Sequence, residues 1–171
     1  MKKKTNKLMD GYQQAEQRGR NKTSQRFGQR LQIVYTVDKH NPIDFYATGI
    51  TLEYSGVTYV GEIKNYDDPE HPRPFTKFSS YMIDWSKLST LKAEAKGKGR
   101  RPLLIVYFDD WTIIWDITDI DIDSRREWRY VNKDGQNYGK KEWTYVTYLY
   151  QEDILWQELR TTTERKMKLL S

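Results

Sequence analysis

Asp44, Glu62 and Lys64 are the residues of this chain whose types and spacing fit a definite chemistry. Glu62 and Lys64 stand two apart in Gly61-Glu62-Ile63-Lys64-Asn65. On a β-strand both would project from one face, with Ile63 turned to the other. Asp44 follows Pro42-Ile43 at the start of the preceding extended stretch. Two carboxylates and an ammonium group are what metal-assisted phosphodiester hydrolysis needs. A metal binds the scissile phosphate and lowers the pKa of water, and Mg²⁺ takes one or two carboxylates plus waters. A nearby lysine orients the water or offsets transition-state charge. Glu-x-Lys alone is a weak signal, since it recurs at Glu94-Ala95-Lys96 and Glu164-Arg165-Lys166 in stretches that read as helix or loop. Only the copy at Glu62 lies on an expected strand behind a Pro-x-Asp. The competing account is a cross-strand ion pair on a solvated sheet face, worth ~0.2–1 kcal/mol.

The elements that must position these residues follow from periodicity. Leu8, Tyr12 and Ala15 predict a short first helix, broken at Arg18-Gly19-Arg20-Asn21-Lys22. Ser24 is a candidate N-cap for a second helix with the stripe Phe27, Leu31, Val34 and Tyr35, ended before Pro42. Stretches 43–54 and 57–66 read as a strand hairpin turning at Ser55-Gly56, and 67–74 as a proline-rich loop. A two-residue turn there would set Glu62 opposite Gly49 and leave Asp44 five residues away, so a bulge or bend at Gly49 is required. Tyr81, Trp85, Leu88 and Leu91 predict a third helix ending near Gly97. Strands 102–108 and 111–117 follow, the first continuously apolar and therefore central. A hairpin of 127–132 and 141–150, turning at Asp134-Gly135, precedes a final helix over 152–169. The order predicts an α/β fold, a mixed β-sheet flanked by helices.

Pro42-Ile43-Asp44, then Glu62-Ile63-Lys64, then a helix and the strand Leu103-Leu104-Ile105-Val106-Tyr107, resembles the PD-(D/E)XK nuclease superfamily, which includes restriction endonucleases and Holliday-junction resolvases. The likeness spans roughly residues 24–118 and implies a restriction-endonuclease-like core there. A basic N-terminal segment with a short helix would occupy 1–23, and a β-hairpin and helix extension of the same domain 119–171. The resemblance implies that Asp44, Glu62 and the Ile63 carbonyl bind Mg²⁺, with Mn²⁺ able to substitute, while Lys64 assists the water. The family often adds a glutamate from the helix before the Asp strand. Here Gln32 and the earlier Glu16 are the candidates, and Lys87 on the next helix is a further accessory residue. The implied activity is a Mg²⁺-dependent DNA endonuclease acting on branched or duplex DNA. The resolvase likeness implies a homodimer, since cutting two strands symmetrically needs two sites. The alternatives are a non-cleaving nucleic-acid-binding module of the same fold, or a structural or assembly protein.

Charge agrees with a polyanionic partner: the net charge is +5 and the pI about 9.2. It is also patchy, which suits phosphate binding. Residues 1–30 carry nine Lys or Arg against Asp10 and Glu16, and 92–101 carry five against Glu94. Lys2, Lys3, Lys4, Arg18, Arg20, Lys22, Arg26, Lys96, Lys98, Arg100 and Arg101 are the candidate phosphate contacts. Lys96 to Arg101 lacks the spacing of a Walker loop. Asp119-Ile120-Asp121-Ile122-Asp123 fails as a calcium loop, because Ser124 stands where glycine is needed and Tyr130 where glutamate is needed; it reads as a strand edge. Trp128, Tyr130, Tyr138, Trp143, Tyr145 and Tyr148, interleaved with basic residues, suit either sheet packing or stacking on unpaired bases. Only His40 and His71 are histidines and cysteine is absent, which argues against zinc, thiolate and Ser-His-Asp chemistry. The longest apolar run is six residues, and Lys2-Lys3-Lys4 is not followed by an apolar stretch, so a cytoplasmic protein without a membrane segment is expected.

Overall fold

The computed structural model describes residues 2–37, 41, 43–66, 80–109, 111–132 and 140–159, with the side chains of 2–10, 12 and 159 excepted. Among the described residues there are two α-helices and nine strands, the strands forming two sheets in a mixed α/β arrangement. Helix α1 spans Lys2–Phe27; β1 Leu31–Tyr35, β2 Phe45–Gly49 and β3 Thr58–Asn65 follow. Then come β4 Ser80–Asp84, α2 Trp85–Gly97, β5 Arg101–Tyr107 and β6 Trp111–Asp116. β7 Glu127–Asn132, β8 Lys141–Tyr150 and β9 Ile154–Leu159 complete the set. The larger sheet has the order β1-β2-β3-β5-β6-β9, and β4-β8-β7 form the smaller one. Within the larger sheet β3 and β5 are parallel and their neighbours antiparallel, so the sheet is mixed. No helix among the described residues is long and apolar enough to cross a membrane.

The parallel pair forms the centre because both faces of β5 are covered. Leu104 and Val106 join a core under α2 with Val60, Leu88, Leu91 and Trp115. Leu103, Ile105 and Tyr107 join the opposite core with Phe45, Ile63 and Phe27 of α1. Alternation on β3 follows the same rule, with Tyr59 and Ile63 on the α1 side and Val60 on the α2 side. Phe45 lies directly across from Gly61, and a Cβ there would come 2.1 Å from the Phe45 ring. Gly19 lets α1 approach β3, since its Cβ would lie 2.9 Å from Ile63 Cγ2.

Several expected elements are corrected. The two N-terminal helices are one, because the Lys, Gln, Ala, Glu and Arg content favours helix through 18–22 and Gly19 is retained for packing. Ser24 is therefore not an N-cap; its hydroxyl meets the Tyr35 hydroxyl at 2.8 Å. Stretch 31–35 is a strand with alternating burial, and Val34, assigned to a helical stripe, is 60% exposed. Tyr81 belongs to β4 and not to α2, whose N-cap is Asp84. The C-terminal helix is replaced over 154–159 by β9, which pairs with the edge of β6. Trp156 packs on the α1 side and Ile154 on the α2 side, because the register shifts between Ile114 and Trp115 and leaves Leu155 exposed between them. The Asp119–Asp123 stretch is a turn-rich loop, not a strand edge: Ile120 and Ile122 are buried and Asp121 accepts the amides of Asp123 and Ser124. The 67–74 loop, the Asp134-Gly135 turn, Tyr138, Pro42, both histidines and 160–171 lie outside the described residues.

Candidate active site

Register brings the acids together. β2 and β3 are joined by an eight-residue connection, 50–57, rather than a two-residue turn. Gly49 donates to the Val57 carbonyl at 2.9 Å, and the loop folds back so closely that a Cβ on Gly49 would overlap the Tyr54 carbonyl. The pairing is consequently Phe45 with Gly61, and the Asp44 amide donates to the Gly61 carbonyl at 2.9 Å. The register shift, not a bulge at Gly49, places Asp44 beside Glu62. The Asp44 carboxylate accepts the Ile63 amide at 2.7 Å.

Glu62 is a buried acid, 5% exposed, in a sheet whose buried side chains are mostly apolar. Lys64 Nζ lies 2.9 Å from its Oε1 and Lys87 Nζ, from the first turns of α2, lies 3.2 Å away. Burial opposes ionisation of Glu62, but the two ammonium groups outweigh it and hold the carboxyl below its ordinary range. Asp44 behaves oppositely. Burial, then the Glu62 charge and last the Glu16 charge push its carboxyl up to about 7, against the Ile63 hydrogen bond and the Lys64 charge. One acid is thus held ionised and its neighbour poised near neutrality.

The other candidate residues divide clearly. Gln32 is exposed on β1 opposite Thr48, towards the end of the strand away from Asp44, so it is not brought to the acids. Glu16 on α1 does reach the field of Asp44, although its carboxylate is held by Arg20 at 2.6 Å. Among the expected phosphate contacts, three are occupied in tying α1 to the sheet. Arg20 donates to the Thr36 carbonyl, Lys22 to Asn65, and Arg26 to Thr112 and Glu158. Lys98 pairs with Glu94 and Arg101 with Asp116, while Arg100 lies over the Tyr46 ring at 4.6 Å. Arg18 and Lys96 are exposed, and the side chains of Lys2, Lys3 and Lys4 lie outside the described residues. Asn65 is a positioning residue the motif did not single out. Besides accepting from Lys22, it donates to the Ala15 carbonyl at 3.1 Å and so fixes α1 over the end of β3. Its only sequence signal is its place beside Lys64.

Asp44, Glu62 and the main chain between Glu62 and Lys64 offer hard oxygen donors of the kind Mg²⁺ accepts. Among the described residues no cluster of three or more His, Cys, Asp or Glu side chains forms, so a third acid does not join them. The donor set fits by its chemistry, two adjacent carboxylates tied to one strand, and a cation between them would offset the Glu62 charge that adds to burial in raising the Asp44 carboxyl. Comparison with family models, characterised proteins and solved structures finds no match.

Proposed function

We propose that the chain is a Mg²⁺-dependent phosphodiesterase acting on DNA, an endonuclease of the PD-(D/E)XK kind. The observation that carries this is the β2–β3 register, which sets Asp44 against Glu62 while Ile63 donates its amide to the Asp44 carboxylate. Asp44, Glu62 and the Ile63 carbonyl would hold the cation, and Mn²⁺ would substitute for it. Bound there, the metal would supply Lewis acidity and a more acidic water. Lys64, held within the site by Glu62, orients the nucleophile or offsets developing charge. Lys87 keeps Glu62 ionised, and Glu16 lies near enough to influence Asp44. Exposed Arg18 and Lys96 are left as the phosphate contacts outside the cluster.

The test is incubation with linear duplex, single-stranded and four-way-junction DNA in Mg²⁺, Mn²⁺ or EDTA, beside Lys64→Ala. Metal-dependent cutting that the variant loses supports the enzyme, and two cuts placed symmetrically on a junction would support a homodimer.

A second reading has its own observation. Two lysines already neutralise Glu62, and a cation using that carboxylate must share it with them. On this account the cluster is an internal ion-pair network in a nucleic-acid-binding module. Binding that persists in EDTA, with no cutting under any divalent metal, would favour it.

A further inference from the structure

The smaller sheet carries a surface unlike the rest of the molecule. On β7 and β8 the cross-strand pairs Trp128 with Tyr145 and Tyr130 with Trp143 share one face. All four rings are exposed, Trp128 at 53%, Tyr130 at 57%, Trp143 at 58% and Tyr145 at 44%. Trp128 and Trp143 are nearly parallel and stacked, with an interplanar angle of 11° and centroids 6.2 Å apart. Tyr145 lies 4.6 Å from Trp128 and Tyr130 lies 5.6 Å from Trp143. An exposed face of four large aromatics on a folded protein marks a binding surface.

Strand alternation sorts the charges. Lys141 shares the β8 register of Trp143 and Tyr145, at the far end of the ladder. At the near end Arg126 lies over Tyr145 at 4.7 Å and over Trp85 at 4.9 Å. Neither Arg126 nor Lys141 pairs with a carboxylate among the described residues, and Lys140 beside them is exposed. The acids of these strands, Glu127 and Glu142, occupy the alternate positions, with Arg129 beside Glu127 at 2.6 Å. Among the described residues of β7 and β8 the aromatic face therefore carries no carboxylate and has a cation at each end, while beyond its near end Asp123 accepts from the Trp85 indole at 2.9 Å. A row of exposed rings with a cation at each end matches a chain of unpaired bases on a phosphate backbone. Duplex DNA presents its bases edge-on and stacked on each other, and offers nothing for the rings to stack on.

We propose that the β7–β8 face binds single-stranded nucleic acid, with bases stacking on Trp128, Trp143 and their tyrosine neighbours and with Arg126 and Lys141 on the flanking phosphates. This rests on the nucleic-acid reading above and names the form of the ligand. The ladder ends at Trp85 in the first turn of α2, the helix whose Lys87 touches Glu62, so one element anchors both surfaces.

The test is binding of a fluorescein-labelled oligothymidylate to the full chain in EDTA, read by anisotropy and by tryptophan quenching, against a duplex of equal length. Wild type is expected to prefer the single strand and to show quenching. Trp128→Ala/Trp143→Ala is expected to weaken binding at least ~10-fold, consistent with the stacking contribution of each base. Trp143→Phe, which keeps a ring, is expected to retain most of the affinity. Because the replaced side chains are exposed, unchanged circular dichroism will show that folding is intact. Equal affinity of wild type and the double variant, preference for duplex, or no binding by wild type overturns the proposal. Cleavage in Mg²⁺ is scored separately, so a protein that binds through the ladder but never cuts overturns only the catalytic reading.

Discussion

The Asp44 carboxylate is hydrogen-bonded to the Ile63 amide at 2.7 Å, which ties an acid preceding β2 to the backbone between Glu62 and Lys64. The three side chains of the short motif thus share one support. A main-chain contact of this kind fixes the acid without using its second oxygen, which stays open to a ligand.

Removing either acid should abolish metal-dependent cutting. Asp44→Asn and Glu62→Gln are expected to lower the single-turnover rate by ~10² or more, and Lys64→Ala by ~10²–10³. Retained binding in EDTA with lost cutting would place the defect in chemistry. Unchanged rates in all three variants would sink the site.

Stability should respond to pH through Asp44. Its folded-state pKa is raised to about 7 from an ordinary 3.8, so its contribution is fully present below about 4 and lost as pH rises through 7. Asp44→Asn keeps an acceptor for Ile63 and removes the charge. Its stability relative to wild type should therefore climb between about pH 4 and pH 7 and level off above, by at most a few kcal/mol, read as the difference in melting temperature. Glu62, held low, contributes in the opposite sense: its stabilisation is present above the ordinary carboxylate range and lost on acidification.

Adding Mg²⁺ or Mn²⁺ should raise the melting temperature of wild type at pH 8 and release a proton near pH 7, measured by calorimetry in buffers of different ionisation enthalpy. Neither effect should appear in Asp44→Asn. Equal stabilisation of both proteins would mean that the cation binds elsewhere.

Gly61→Ala should destabilise the fold by ~1–3 kcal/mol in urea unfolding, because its Cβ meets the buried Phe45 ring. A neutral result would show that the ring can move aside.

Arg26→Ala should cost about 1 kcal/mol of stability and leave DNA affinity and its salt slope unchanged, since the guanidinium is engaged with Thr112 and Glu158. Arg18→Ala should do the reverse, weakening DNA binding without a change in unfolding midpoint.

What the sequence by itself determined was local. Strand pairs 101–107 with 111–116 and 127–132 with 141–150 follow from runs of β-branched and aromatic residues, and the helix ending at Gly97 from its apolar spacing. It also put Glu62 and Lys64 on one face, because side chains on a strand alternate whatever the strand pairs with. Short segments misled where two periods overlap: Leu31, Ile33 and Tyr35 fit alternation, while Phe27, Leu31, Val34 and Tyr35 fit a helix equally well. Burial between β2 and α1 decided for the strand. The tertiary structure alone decided the rest of the site. Asp44 reaches Glu62 through an eight-residue connection whose length no turn rule specifies, and Lys87 joins through the packing of α2. The packing of α1 took Arg20, Lys22 and Arg26 out of the free basic surface. Register and charge pairing are long-range properties, and they belong to the folded chain rather than to any stretch of it.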